Sequence, residues 1–198
     1  MRKSLAIRLV ILFFLSFNTI HVFCQKCKYS KEEFNSDKEL RTLETKPFTL
    51  VGISGNDIRS KIGRENDDFY FLLDYSRAAS KKSNITSIDL NYPKISSINK
   101  GNLLIFFLDN DEQVTLHAMD DIDVTINDSN PLFTEYSFKE LKYSISESDI
   151  NKLSNNFSYQ MRLEYQESTN KPIVKIFRKD FNTLKSKVFQ KKAKCITD

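Results

Sequence analysis

Gly101-Asn-Leu-Leu-Ile-Phe-Phe-Leu-Asp-Asn-Asp-Glu-Gln-Val-Thr-Leu-His-Ala-Met119 is the stretch whose reading decides the fold class. Leu103 to Leu108 is an unbroken apolar run rich in Phe and Ile. It is too short for a helix that buries a stripe, so it predicts a strand covered on both faces. Val114 to Met119 alternates as a strand nearer an edge does. A turn centred on Asn110 and Asp111 joins the two, which sets Phe107 against Val114, Ile105 against Leu116 and Leu103 against Ala118 on one apolar face. The expectation is an antiparallel hairpin at the heart of the molecule.

Outward from this hairpin, further strands are expected over Phe48 to Ile53, Phe69 to Ser76, Ile85 to Leu90, Ile122 to Ile126 and Phe138 to Ile145. A second hairpin pairs Tyr159 to Tyr165 with Pro172 to Phe177, its Met161, Leu163 and Tyr165 covered and its Arg162 and Glu164 wet. Residues 54–68, punctuated by Gly55 and Gly63, and residues 77–84 read as polar loops. Ser146 with Asp149 forms a capping box, and Ile145 with Ile150 a hydrophobic staple, for a helix over Glu147 to Ser154. Phe181, Leu184, Val188 and Cys195 recur at helical spacing and predict a C-terminal helix from Asp180 to Lys192. The order of elements argues for a mainly β, α+β fold: an antiparallel sheet or sandwich with one short capped helix and a C-terminal helix. One domain over residues 48–198 suits the length, preceded by a polar lead-in, residues 25–47, with a helical turn series after Ser30.

Residues 1–24 read as a secretory signal peptide: Arg2 and Lys3, an apolar run from Leu5 to Phe17, then Val22 and Cys24 before Gln25. An uncleaved anchor is the alternative, although Arg8, Asn18 and His21 interrupt the run below the roughly 20 apolar residues a span needs. Acylation of Cys24 is a third reading, set against it the bulk of Phe23. Of 30 Lys and Arg, three lie in the leader, which leaves 27 basic against 26 acidic residues. That near-neutral balance removes the compositional support for nucleic-acid or anionic-membrane binding. The expectation is a secreted or periplasmic protein with no stable membrane span after leader removal. Cys27 and Cys195 remain, either tied in a disulfide that closes the chain near its ends or left as two thiols.

Little in the chain specifies a reaction. His117 is the one histidine beyond the leader, so a triad or a His-rich metal site has a single imidazole to be built around. No Gly-x-Ser-x-Gly turn and no phosphate-binding glycine run is present. Residues 109–128 hold seven acids without a Lys or Arg, and Asp109, Asp111, Asp121 and Asp123 are the candidate calcium ligands, since calcium takes several hard oxygens. The competing reading is a set of solvated turn acids. Calcium is the one cofactor the chain suggests. Lys171 to Lys194 holds nine Lys or Arg against Asp180 alone. It reads either as the wet face of a helix carrying Lys185, Lys187, Lys191, Lys192 and Lys194 or as a docking face for an acidic partner, an envelope polysaccharide or anionic lipid.

The leader ending in Cys24 and Gln25, the run from Gly101 to Leu116 and the segment Tyr143-Ser-Ile-Ser-Glu-Ser-Asp-Ile-Asn-Lys-Leu153 resemble small exported β-rich proteins of unknown function typical of Bacteroidota. That resemblance implies bacterial export and carries no active-site residue. The expected function is a non-catalytic binding or scaffold domain of the cell envelope, its partner a protein or an envelope polysaccharide. The alternative is an envelope hydrolase or calcium-dependent enzyme that uses acids from residues 109–128 with His117.

Overall fold

The computed structural model describes residues 27–36, 39–53, 56–81, 92–167 and 174–197. The leader, Cys24, Gly55, the strand expected over Ile85 to Leu90 and the first residues of the strand expected from Pro172 lie outside them. The fold is the mainly β, α+β arrangement expected, with one internal and one C-terminal helix. Its strands are β1 (Tyr29–Asn35), β2 (Leu40–Thr45), β3 (Phe48–Ile53), β4 (Asn56–Glu65), β5 (Asp68–Ser80), β6 (Ser97–Ile98) and β7 (Leu103–Leu108). They continue with β8 (Gln113–Ala118), β9 (Ile122–Asp123), β10 (Thr125–Asn127), β11 (Phe133–Ile145), β12 (Ser158–Gln166) and β13 (Val174–Asp180). Helix α1 spans Glu147–Asn155 and α2 spans Thr183–Thr197.

All thirteen strands join one antiparallel sheet in the order β1-β2-β4-β5-β11-β8-β7-β12-β6-β9. β3 continues beyond β2 along β4, β10 lies on β11, and β13 lies on β12. Where β2 ends and β3 begins, the buried Thr45 hydroxyl accepts the Ile62 N–H at 3.1 Å. A side chain thus takes over a ladder position that the chain break would leave empty.

The sheet curls around α2. Phe189, in the middle of that helix, has its ring centroid 5.6 Å from Phe48 of β3 and 4.7 Å from Phe106 of β7. Five strand pairings separate β3 from β7, about 24 Å in a flat sheet at roughly 4.8 Å per strand. Both rings reach Phe189 because the sheet is strongly coiled. Phe71 at 6.2 Å and Phe181 at 6.5 Å complete the cluster.

Several expectations are corrected. The central hairpin pairs Leu104 with Leu116 and Phe106 with Val114, one residue out of the predicted register. The loop is Asp109-Asn110-Asp111, closed by the Leu108 N–H on the Glu112 carbonyl, with Asp111 at φ 63°. A three-residue loop ending in a left-handed residue turns β7 over relative to a two-residue one. Leu104, Phe106 and Leu108 are therefore buried, while Leu103, Ile105 and Phe107 are only half-buried. Residues 56–65 form β4 rather than a loop, with Asn56, Ile58, Ser60 and Ile62 alternating into the interior. β5 runs on to Ser80, through the first residues of the other expected loop. The segment after Ser30 is strand, not helix, and hairpin β1–β2 pairs with β4. Of the predicted stripe, Phe181 and Cys195 are buried but Leu184 and Val188 are exposed, Leu184 by 71 %; α2 instead packs Ser186, Phe189, Ala193 and Ile196 inward beside Cys195.

Helix α1 follows its sequence signature: the Ser146 hydroxyl accepts the Asp149 N–H at 3.1 Å, and Ile150 and Leu153 are buried. Cys27 and Cys195 form a disulfide with Cα atoms 5.5 Å apart, closing a separation of 168 residues. Tyr29 adds a hydroxyl donation to the Cys195 carbonyl at 2.8 Å, so the first strand is fastened to the last helix twice.

Phe189→Ala is expected to lower stability by about 3 to 5 kcal/mol, because the cavity opens where both sheet flanks meet. Replacing Cys27 and Cys195 by Ser should cost about 2 to 5 kcal/mol. Urea unfolding of residues 25–198 measures both.

Candidate functional site

The strands β8, β7, β12 and β13 lie side by side, and pairing places directly opposed residues on the same face. Leu104, Phe106, Val114, Leu116, Met161 and Leu163 are buried on the inner face. The outer face carries Leu103, Ile105 and Phe107 of β7 beside Gln160, Arg162 and Glu164 of β12, with Val174, Ile176 and Arg178 of β13 beyond them. Val174 is 51 % exposed, Ile176 53 % and Tyr159 46 %. Two apolar patches, half-buried on β7 and exposed on β13, therefore flank the polar row of β12 on this face.

A bulge at Tyr159 sets its ring 6.3 Å from that of Phe107. Over Phe107 lies the Arg162 guanidinium, 4.3 Å from the ring centroid, its Nε donating to Gln160 Oε1 at 3.3 Å. Glu164 Oε2 accepts the Leu103 N–H at 3.0 Å. Charged side chains with fixed partners thus frame exposed aromatic and β-branched groups, an amphipathic composition that suits a docking surface. His117 stands exposed on the same face of β8, opposite Leu103.

The acidic residues do not converge. Asp109 and Asp111 sit in the loop after β7, whereas Asp121 follows β8 and Asp123 lies in β9. The six residues of β8 separate the two sets by about 20 Å at roughly 3.3 Å per residue. Asp109 accepts the Phe157 N–H at 3.0 Å and Asp121 accepts the Lys100 N–H at 2.6 Å. Among the described residues no three His, Cys, Asp or Glu side chains gather to hold a metal ion. The acids instead fasten loops: Asp109 ties the β7–β8 loop to the start of β12.

A second polar cluster lies on the outer face of β2, β4, β5 and β11. Lys61 Nζ stands 3.4 Å from Glu44 Oε2 and 3.0 Å from Glu140 Oε1, and the Tyr70 hydroxyl donates to Glu44 at 3.1 Å. Glu140 reaches Lys61 from a bulge in β11, at φ 58°, its N–H held by Asp74 at 2.8 Å. Tyr70 crosses β4 at Gly63, where a Cβ would lie 2.3 Å from its ring. Burial pulls the Lys61 ammonium down, but Glu140 and Glu44 together outweigh it and hold the group above the usual lysine range. Burial pushes the Tyr70 phenol up as well, with Glu44 adding to it. Both carboxylates share the Lys61 ammonium, and Glu44 also accepts from Tyr70, so the cluster clamps four strands together.

The lysines of α2 divide into two sets. Lys187, Lys191 and Lys194 are exposed, as expected of a wet face. Lys185 and Lys192 are half-buried, a correction to that expectation. Lys185 donates to the Leu50 carbonyl at 3.0 Å, its ammonium pulled down by burial and by Lys179. Burial with Lys191, Lys46 and Lys28 does the same to Lys192. Beside Lys185 an apolar cleft of about 230 Å³ runs between β3 and α2. A mixed cleft of about 270 Å³ lies under Arg77, Lys94, Asp123 and Tyr136. Among known proteins, no family model, no curated protein and no solved structure matches the chain.

The sign of the Lys61 shift sets a pH window. A lysine raised in the folded state contributes fully below its ordinary value of 10.5, and that contribution is lost as pH climbs through the raised one. Lys61→Met should destabilise by about 1 to 3 kcal/mol at neutral pH. The gap to wild type should hold up to about pH 10 and narrow above it, as read by urea unfolding at stepped pH.

Calcium at millimolar concentration should leave the melting midpoint unchanged, because the two acidic sets are held apart. A saturable rise abolished by Asp109→Ala or Asp121→Ala would return the metal reading.

Proposed function

We propose that the chain is an exported, non-catalytic binding module of the cell envelope that docks a protein partner through the outer face of β8, β7, β12 and β13. One observation carries the reading: Leu103, Ile105 and Phe107 continue an apolar run whose other half fills the core, and on the outer face they are only half-buried, with Tyr159, Val174 and Ile176 exposed on the same side of the sheet. Folding needs one apolar face on this strand, and the second contributes nothing to the interior. Apolar surface framed by polar groups, as on either side of the β12 row here, is the usual mark of an interaction site.

The surroundings fit a rigid platform. Arg162 over Phe107 and Tyr159 beside it supply the Arg and aromatic groups in which interface anchors are enriched. The Cys27–Cys195 disulfide is compatible with an oxidising, exported location. No helix among the described residues is long and apolar enough to cross a membrane. A hydrolase built on the acids and His117 lacks support from geometry, because the acids are split between the two ends of β8 and His117 stands in solvent.

The test is site-specific photo-crosslinking in cells that export the protein, with a benzophenone side chain at position 107, at position 176 or, as a control, at exposed Phe34 of β1. A discrete adduct from 107 and 176, absent at 34 and abolished by Ile105→Glu with unchanged melting, is the expected outcome. Adducts from position 34 alone would overturn the assignment of the face. Failure to crosslink, together with co-sedimentation on purified envelope polysaccharide that Ile105→Glu abolishes, would replace the protein partner by a glycan.

A further inference from the structure

β13 closes one side of the molecule. Among the described residues it pairs only with β12, so its other backbone edge presents unshared N–H and C=O groups along Val174–Asp180. Edges of this kind are normally blunted or covered, because they template the addition of another strand. The side chains on this edge are sorted by face. Opposition to Met161, Leu163 and Tyr165 puts Lys179, Phe177 and Lys175 on the inner side, and opposition to Arg162, Glu164 and Gln166 puts Arg178, Ile176 and Val174 on the outer side. Thus one side of the edge offers Lys175, which pairs with Glu167 at 3.5 Å, and Lys179 with Phe177 between them, and the other offers the exposed Val174 and Ile176 with Arg178 at the far end.

The geometry points to β13 as a strand-addition site for an extended segment in which acidic and apolar residues alternate. This deepens the binding-module reading and rests on it. In such an addition the main chain of the incoming segment completes the ladder, and its side chains fall alternately on the two faces. Its acids lie beside Lys175 and Lys179, and its apolar residues lie beside Val174 and Ile176, extending the exposed apolar patch of β13.

Charge selects against the obvious competitor. A second copy adding its own β13 antiparallel, centred on Phe177, would set Lys175 against Lys179 twice, and like charges directly opposed are unfavourable in a sheet. Lys185 on α2 adds to the positive charge on this side, its ammonium pulled down by burial and by the nearby Lys179. The acid within β13 itself is Asp180, at the far end and engaged by Gln160 Nε2 at 2.7 Å.

The probe is a synthetic peptide alternating glutamate and valine, matched in length to β13, titrated into the mature chain and followed by amide exchange and chemical shift. Saturable binding with new protection at residues 174–180 is expected. Lys175→Glu with Lys179→Glu should weaken it about tenfold and confer binding of the lysine–valine counterpart, a gain that also certifies the variant as folded. A version N-methylated along one edge keeps its charges and loses the ladder, and it should not bind. Equal binding of the N-methylated peptide, or no effect of the double variant, would overturn the proposal in favour of plain charge attraction. Dimerisation through β13 without peptide would overturn it in favour of a second copy. Crosslinks from position 107 with no peptide bound at β13 would sink this proposal and leave the binding-module reading standing.

Discussion

Phe189 stands where two distant parts of the sheet must meet. Its ring touches Phe48 from β3 and Phe106 from β7, which a flat sheet would hold far apart. Burying those aromatics together therefore requires the sheet to coil, and right-handed twist alone distributes the bend too evenly to bring two chosen strands onto one ring. Local devices concentrate it. The bulge in β11 between Phe138 and Leu141 switches which alternate residues point inward, so Phe138 stacks on Tyr75 while Leu141, Tyr143 and Ile145 stay buried beyond it. A further bulge at Tyr159 bends β12 where it meets β7.

The coil has an inside and an outside, and the two are stabilised differently. Inside, burial does the work: Phe71, Leu73, Phe106, Tyr143 and Phe189 are almost wholly removed from water. Outside, long polar side chains shield the strands. Lys61 and Lys142 flank Leu72, which is buried although it points away from the core, and the Lys142 ammonium lies 4.4 Å from the centre of the Tyr70 ring. Their stems cover apolar surface while their charges find Glu44, Glu140 and an aromatic face. Over β4, β5 and β11 the outer face is therefore closed by its own side chains. Over β7, β12 and β13 it is closed only in part, by Arg162 over Phe107, and Val174 and Ile176 stay exposed.

That asymmetry explains which parts of the molecule were legible in the sequence. The class of fold, both hairpins, the capped helix and the Cys27–Cys195 pair could be read because each depends on simple signals: apolar runs, Ser146 with Asp149, and one cysteine near either end of residues 25–198. β4 escaped because its inward positions include Asn56 and Ser60, and a polar residue facing the core resembles a loop when hydrophobicity alone is counted. Asn56 is there for its side chain, whose Oδ1 accepts the Ala78 N–H at 2.7 Å. The register of the central hairpin was missed because an acidic turn without glycine does not announce its length. Asp111 takes the left-handed position usually filled by Gly or Asn. The candidate face was missed for the same reason: Leu103, Ile105 and Phe107 were assigned to the core by a run that is apolar on both sides.

An unbroken apolar strand carries no mark of which side will be covered, and here that choice follows from the length of one loop. A two-residue turn would have put Leu103, Ile105 and Phe107 on the face of Val114 and Leu116, and thus on α2. The three-residue loop puts Leu104, Phe106 and Leu108 there instead. Because every residue of β7 is apolar, either register fills the interior, so stability alone discriminates weakly between them. What differs is the surface. In the observed register Phe107 comes to lie under Arg162, next to Tyr159 and in line with the exposed side of β13. Asp109 then holds that register from both sides, donating its N–H to the Phe157 carbonyl at 2.9 Å and accepting the Phe157 N–H on its side chain. The acid first suspected as a metal ligand thus acts as a pin on the register. It keeps the ring of Phe107 on the outer face under Arg162 and the ring of Phe106 inside against Phe189.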